Sequence, residues 1–174
     1  VMAHLAPLLD GEPGKPVAVE TEVGGWRLNA VLENVGPKGQ VLWSVDALSP
    51  WVMLRAWCAH LLLNSDASAP SHHTHLVDVE GIVSFLPEED AASTLHELVG
   101  LYREGLCRPL PFFPRSAWAY VSAAKTPLAN AYRTWAGSEH ASAVGESADP
   151  FFALAFRDRL DTVLDSEFES LASL

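Results

Sequence analysis

Val17-Ala-Val-Glu-Thr-Glu-Val23 alternates apolar and polar residues and runs into Gly24-Gly25. After the glycines, Trp26, Leu28, Ala30 and Leu32 alternate with Arg27, Asn29, Val31 and Glu33. Period two on both sides of a two-residue glycine turn predicts an antiparallel hairpin with one apolar face. That face has to be covered. This requirement constrains the fold more than any other feature of the chain, because a two-stranded ribbon does not stand alone in water. A second turn over residues 34–39, with Gly36-Pro37, leads to a third apolar run, Val41-Leu-Trp-Ser-Val45. Three meandering strands are expected, after a short helix in the first ten residues.

The cover is expected from helices, three of which share one starting device. Ser49-Pro50, Thr126-Pro127 and Asp149-Pro150 each set a capping side chain before a proline, at the helical position where a missing N–H costs nothing. Leu54, Trp57, Cys58 and Leu61 then recur at helical spacing, as do Leu128, Ala131, Tyr132 and Trp135. A helix after Pro87 is predicted to hold Glu88, Glu89 and Asp90 in its first turn. Its apolar face is Leu95, Leu98, Val99 and Tyr102, and Gly105 is expected to stop it. Residues 64–73 and 137–148 read as loops, and residues 76–85 as a hairpin about Glu80-Gly81 or one interrupted strand. Residues 151–174 read as helix with a break near Asp161. One domain spanning 1–174 is expected, of the α+β class. A chain opening on Val1-Met2 reads as an internal piece or a trimmed start.

Charge narrows the function. Twenty-two acids face eleven bases, only three of them lysines (Lys15, Lys38 and Lys125), for a net charge of −11. Nucleic-acid binders draw affinity from phosphate neutralisation, so this chain is expected to bind DNA weakly by itself. Neither a signal peptide nor a membrane span is read. Cys58 and Cys107 sit in apolar stretches and are expected to be buried free thiols. His72, His73 and His75 form a compact group, but no Cys or carboxylate stands beside them at ligand spacing, and a solvated loop is the expectation. No metal or other cofactor is expected, and no P-loop, nucleophile-elbow or dinucleotide fingerprint is present.

The stretch 102–120 holds a proline-stiffened aromatic corner, Pro109-Leu-Pro-Phe-Phe-Pro114, with Arg103, Arg108 and Arg115 around it. Together with Leu54-Arg-Ala-Trp-Cys-Ala-His-Leu-Leu-Leu63 and residues 145–172, it resembles the C-terminal domain of RecC, the gamma chain of bacterial exodeoxyribonuclease V. The resemblance implies a PD-(D/E)xK, restriction-endonuclease-like core: a small mixed sheet flanked by helices, with extra helices at the C-terminal end. It also implies a bacterial cytoplasmic setting and RecB and RecD partner subunits. The part so implied is a non-catalytic one, in subunit assembly and DNA strand separation.

A working nuclease of that superfamily needs an acid on the second strand and an acid-x-lysine on the third, because carboxylates hold the Mg²⁺ that activates water and the lysine balances charge. Here the corresponding positions are Glu33, Trp43 and Val45, and no lysine lies between Lys38 and Lys125. No catalytic residue is therefore assigned, and Trp43 and Val45 are expected to pack as core. Arg108, Arg115, Phe112 and Phe113 are the candidate contacts to a partner subunit or to DNA. Two rivals stay open: a metal-dependent nuclease with a displaced site using Glu33, Asp46 or Asp78, and a stand-alone protein-interaction domain with no DNA role.

Overall fold

The computed structural model describes residues 1–9, 14–138 and 143–174. They fall into two compact units, Val1–Arg103 and Glu104–Leu174.

The first unit is a five-stranded mixed sheet with helices. α1 (Met2–Leu9) precedes three strands, β1 (Lys15–Val23), β2 (Trp26–Gly36) and β3 (Gly39–Trp43). α2 (Pro50–Asn64) then crosses over to β4 (Thr74–Val77), which lies parallel to β3, and β5 (Ile82–Phe85) closes the sheet as an antiparallel edge. The order is β1-β2-β3-β4-β5. The hairpin forms as predicted, with Val23 opposite Trp26 and the turn glycines at φ +57° and +77°. Both angles suit the tight turn that follows the strand twist. Its register sets Val17, Val19 and Thr21 opposite Leu32, Ala30 and Leu28, which builds the predicted apolar face. Gly39 is required for a different reason: a Cβ there would meet the His73 carbonyl oxygen at 2.4 Å, just where Gln40 N–H bonds to that carbonyl.

α2 covers the hairpin face. Leu63 packs with Val19, Leu32 and Val35, and Leu61 with Val23, Ala91 and Leu95. α1 covers the opposite face, where Leu5 meets Val41 and Val77. Ser49 caps α2 through Val52 N–H, as expected. The buried side of α2 is Ala56, His60, Leu61 and Leu63 rather than the stripe through Leu54 and Cys58. A helix this apolar all round has no single face legible from spacing.

α3 (Ala91–Cys107) departs from its expected ends. It begins after Glu88, Glu89 and Asp90, so no acid occupies its first turn, and it runs through Gly105 without stopping. Leu95 is buried and Tyr102 exposed. Of the two cysteines, Cys58 is half-buried, with burial pushing its thiol pKa up, whereas Cys107 is exposed. The expectation of two buried thiols fails for Cys107 because the end of α3 carries it on its open side.

The second unit is helical: α4 (Pro114–Val121), α5 (Pro127–Ala136), α6 (Pro150–Ala155) and α7 (Ser166–Ala172), with a two-residue strand pair, Gly137–Ser138 and Ala143–Val144. The loop predicted over 137–148 lies partly outside the described residues; its described end forms one 3-10 turn, Glu146–Ala148. Asp149 caps α6 through Phe151 and Phe152 N–H. Thr126 does not cap α5: it takes a left-handed conformation, φ +50°, and its side chain accepts no bond from the helix. The break near Asp161 is real and wide, from residue 156 to 165. Phe113 stands at the centre of the core, with Trp135 at 4.2 Å between ring centroids, Phe152 at 5.0 Å, Phe156 at 5.3 Å and Phe168 at 6.2 Å. No helix among the described residues is long and apolar enough to cross a membrane.

Candidate functional site

In the first unit a groove of about 400 Å³ runs between the N-terminal half of α2 and strands β2 and β3. Its wall includes Glu33, Gln40, Leu42, Trp43, Ser44 and Arg55. Glu33 and Trp43, two of the three positions that the resemblance sets against a nuclease site, therefore line one groove. Trp43 and Val45 are not packed as expected. Trp43 is 48% exposed and Val45 76% exposed. The reason is local: β3 ends at Trp43, Val45 follows it into a bend, and the apolar residues of α1 gather on Val41 and Val77 instead. Trp43 is thus part of an open wall and not of a core.

Among the described residues Glu33 is the one carboxylate lining the groove, and Arg55 lines the same space. Gln40 is buried; its side-chain N–H bonds to the Glu33 carbonyl at 3.3 Å, and its side-chain oxygen has no partner among the described residues. The other acids considered for a displaced site do different work. Asp46 is exposed, and its own N–H donates to Ser44 Oγ. Asp78 is buried and accepts three backbone bonds, from Gly81 and Glu80 N–H at 2.8 Å each and from Leu48 N–H at 3.1 Å. These bonds, that from Gly81 foremost, hold its carboxyl below the ordinary range. Both oxygens are spent on pinning the β4–β5 turn to residue 48. Among the described residues no group of three His, Cys, Asp or Glu side chains is placed to hold a metal ion.

The histidine group is likewise occupied with backbone and hydroxyl partners. His72 Nε2 lies 3.1 Å from the Asp66 carbonyl. His75 bridges Ser84 Oγ at 2.8 Å and the Lys38 carbonyl at 3.0 Å, and its ring stacks on that of His73. A further histidine, His60, was not singled out by sequence reasoning and proves the more structural. It is fully buried on α2, with Nε2 at 2.9 Å from the Leu86 carbonyl and Nδ1 at 3.0 Å from Thr74 Oγ1. A carbonyl only accepts, so the proton sits on Nε2 and Nδ1 accepts from the threonine. Burial lowers the pKa of this neutral ring.

In the second unit the aromatic–arginine corner resolves into separate parts. Phe113 is wholly buried at the centre of the core, so its assignment as a contact residue is corrected; Phe112 packs at the core margin, half-buried. The backbone alternates inward and outward as it enters α4, and the second phenylalanine is the one turned in. Arg108 is clamped by two carboxylates, Glu104 one helical turn back and Glu167 on α7, which push its pKa up, the Glu167 bond first. Arg115 donates from its guanidinium to the Val144 carbonyl at 3.1 Å.

Its backbone leads to a residue that spacing did not reveal. Glu146 is buried and accepts from Arg115 N–H at 3.0 Å, Ser116 N–H at 2.7 Å and Ser116 Oγ at 2.8 Å. α4 has no capping side chain of its own, since Phe113 sits at that position, and Glu146 caps it from 30 residues away. No local motif signals a cap at that distance.

A family model described as the RecC C-terminal domain matches residues 1–125. A curated protein, RecBCD enzyme subunit RecC of Escherichia coli (strain K12), is 27% identical over 111 residues, which is 63% of this chain and 10% of that protein. The chain thus corresponds to about a tenth of the length of that relative. The match takes in the sheet, α2, α3 and α4 and ends before α5; the stretch 145–172 quoted for the resemblance lies beyond it.

Proposed function

The chain belongs to the RecC C-terminal domain family, and on that premise we propose that it is a non-catalytic domain of a RecBCD-type helicase–nuclease, working in double-strand-break repair and recombination in the bacterial cytoplasm. On this reading residues 1–174 act as one domain, its sheet is a PD-(D/E)xK core that has lost its chemistry, and its partners are RecB- and RecD-type subunits. Its part is subunit assembly and strand separation, and its contact with DNA is made within the complex.

One observation carries the non-catalytic reading. Where the superfamily would present an acid and an acid-x-lysine, the groove wall offers Glu33 and Trp43, and Val45 stands past the end of β3, outside that wall; Trp43 and Val45 are both exposed apolar side chains. Among the described residues the groove wall holds one carboxylate together with Arg55, which does not make the oxygen-rich cage Mg²⁺ requires. The mixed sheet, in which α2 carries β3 across to a parallel β4, supports the core assignment. The charge of −11 supports a shared rather than autonomous hold on DNA.

Arg115, Arg108 and Phe112 are the contact residues of this proposal. Arg108 enters as an ordered ion-pair cluster with Glu104 and Glu167, and Arg115 as an exposed side chain in the first turn of α4. In a reconstituted RecBCD-type complex, replacing Arg108 and Arg115 together with alanine is expected to reduce assembly or unwinding while the free chain keeps its circular dichroism. Unchanged assembly and unwinding would refute the contact assignment. The chain alone is expected to bind duplex DNA no tighter than roughly 10⁻⁴ M at physiological salt.

A further inference from the structure

The sheet of the first unit ends on two edges that are built differently. β1 carries Lys15, Pro16, Glu20 and Glu22, with Arg27 pairing Glu20 at 3.4 Å. Charges and proline on an edge are what stop a second chain from pairing there. β5, the opposite edge, reads Ile82-Val-Ser-Phe85 and has neither.

The hydrogen-bonding direction of β5 follows from its register. Asp78 N–H bonds to the Gly81 carbonyl at 3.0 Å, and bonded pairs alternate along an antiparallel ladder. Val83 and Phe85 therefore turn their backbone groups to β4, opposite Leu76 and Thr74. Those of Ile82 and Ser84 point outward, and among the described residues they have no backbone partner. The inner side of the strand is fixed. The Phe85 ring packs on Trp57 at 5.5 Å and on His60 at 5.4 Å, and the Leu86 carbonyl accepts from His60. Ile82 and Val83, on opposite faces, are 44% and 37% exposed. Ile82 continues a row that runs through Val77 to the open Trp43.

Charge identifies what fits this edge. From residue 56 to residue 102 the chain has no lysine or arginine and seven carboxylates. Glu80 stands in the turn before β5, and Glu88, Glu89 and Asp90 follow it, with Glu80, Glu89 and Asp90 exposed. A strand held at its inner side, open along its outer side and bracketed by acids is a template for β-strand addition by a basic-flanked segment.

We propose that β5 is a docking edge for an extended segment of another polypeptide, with alternating apolar residues and flanking lysines or arginines, which joins the sheet as a sixth strand. The assignment goes beyond the RecC reading and does not depend on it, since it rests on the edge alone.

The test is a titration of the whole chain, followed by amide NMR, with a peptide of alternating valine and threonine between flanking arginines. Saturable shifts are expected at the Ile82, Ser84 and Leu86 amides. Exchanging the flanking arginines for glutamates is expected to weaken binding at least about tenfold. Ile82→Lys, which adds a guarding charge at an exposed position, and Ser84→Pro, which removes an outward N–H, are each expected to weaken it as much. Circular dichroism identifies a misfolded variant, and if Ser84→Pro misfolds the Ile82→Lys result decides. The proposal is overturned by absence of saturable shifts, by equal binding of the glutamate-flanked peptide, or by undiminished binding to folded Ile82→Lys. It is also overturned by a dimer of the chain that Ile82→Lys dissolves, because the edge would then belong to a second copy.

Discussion

The first unit divides its apolar interior among three small clusters on the two faces of a sheet, whereas the second gathers Phe113, Trp135, Phe156 and Phe168 into one. Their buried polar groups differ in the same sense. Gln40, His60, Thr74 and Asp78 tie strands and turns together at several places in the first unit; in the second, Glu146 and Ser116 form one joint at the start of α4. A sheet covered by separate helices tolerates local loss, because each cluster has few members in common with the next. A single aromatic core does not, since nearly every ring meets Phe113. The structural weight of the second unit therefore rests on very few residues.

The largest effect is expected at the centre of the aromatic cluster. Phe113→Ala should cost about 3–5 kcal/mol in denaturant melts, the range for emptying a large buried side chain. A loss under about 1 kcal/mol would break the comparison by showing that the second unit has no single keystone. Glu146→Ala comes next. It strips three bonds from the start of α4 and should cost roughly 2–3 kcal/mol, as expected for buried bonds to a charged group. A near-silent Glu146→Ala would mean that water or another residue caps the helix.

His60 makes the stability of the first unit depend on pH. Its folded pKa lies below the ordinary value near 6.5 because burial disfavours the charged ring. The unfolded chain therefore takes up a proton before the folded one does, so this contribution is full above the unfolded pKa and is lost as pH falls through the window beneath it. Stability measured from pH 7.5 down to 5 is expected to fall, and His60→Gln is expected to flatten that fall; an unchanged slope in the variant would assign it to other groups. Trp43→Ala should have the smallest effect, about 1 kcal/mol, the middle of the range for ordinary substitutions. A loss of 3 kcal/mol or more, on the scale of an emptied core site, would mean that Trp43 is packed after all.

The parts of the fold that were legible are those governed by period and by local capping. Val17 to Leu32 carries a strand pattern around two glycines, and Ser49-Pro50 and Asp149-Pro150 carry their own caps; each formed as expected. The differences have physical sources. The apolar character of Trp43 suggests core, but burial is decided by what a neighbouring element covers, and α1 gathers on Val41 and Val77. Thr126 has the right chemistry for a cap and the wrong backbone angle. In the candidate site, the apolar character of Trp43 and Val45 is readable from residue identity alone, whereas their exposure is not. Glu146 and the open edge of β5 were not readable, since a cap made across 30 residues and a strand left at the border of a sheet exist only after the chain has folded.

The proposal that this groove supports no phosphodiester hydrolysis is tested most directly by one cleavage assay. Purified chain is incubated with end-labelled linear duplex and single-stranded DNA in the presence of Mg²⁺ or Mn²⁺. Intact DNA is expected with either ion. Metal-dependent cleavage by the wild-type chain that disappears in a folded Glu33→Ala variant would contradict it, because the Glu33 carboxylate in the groove wall would then be a working ligand.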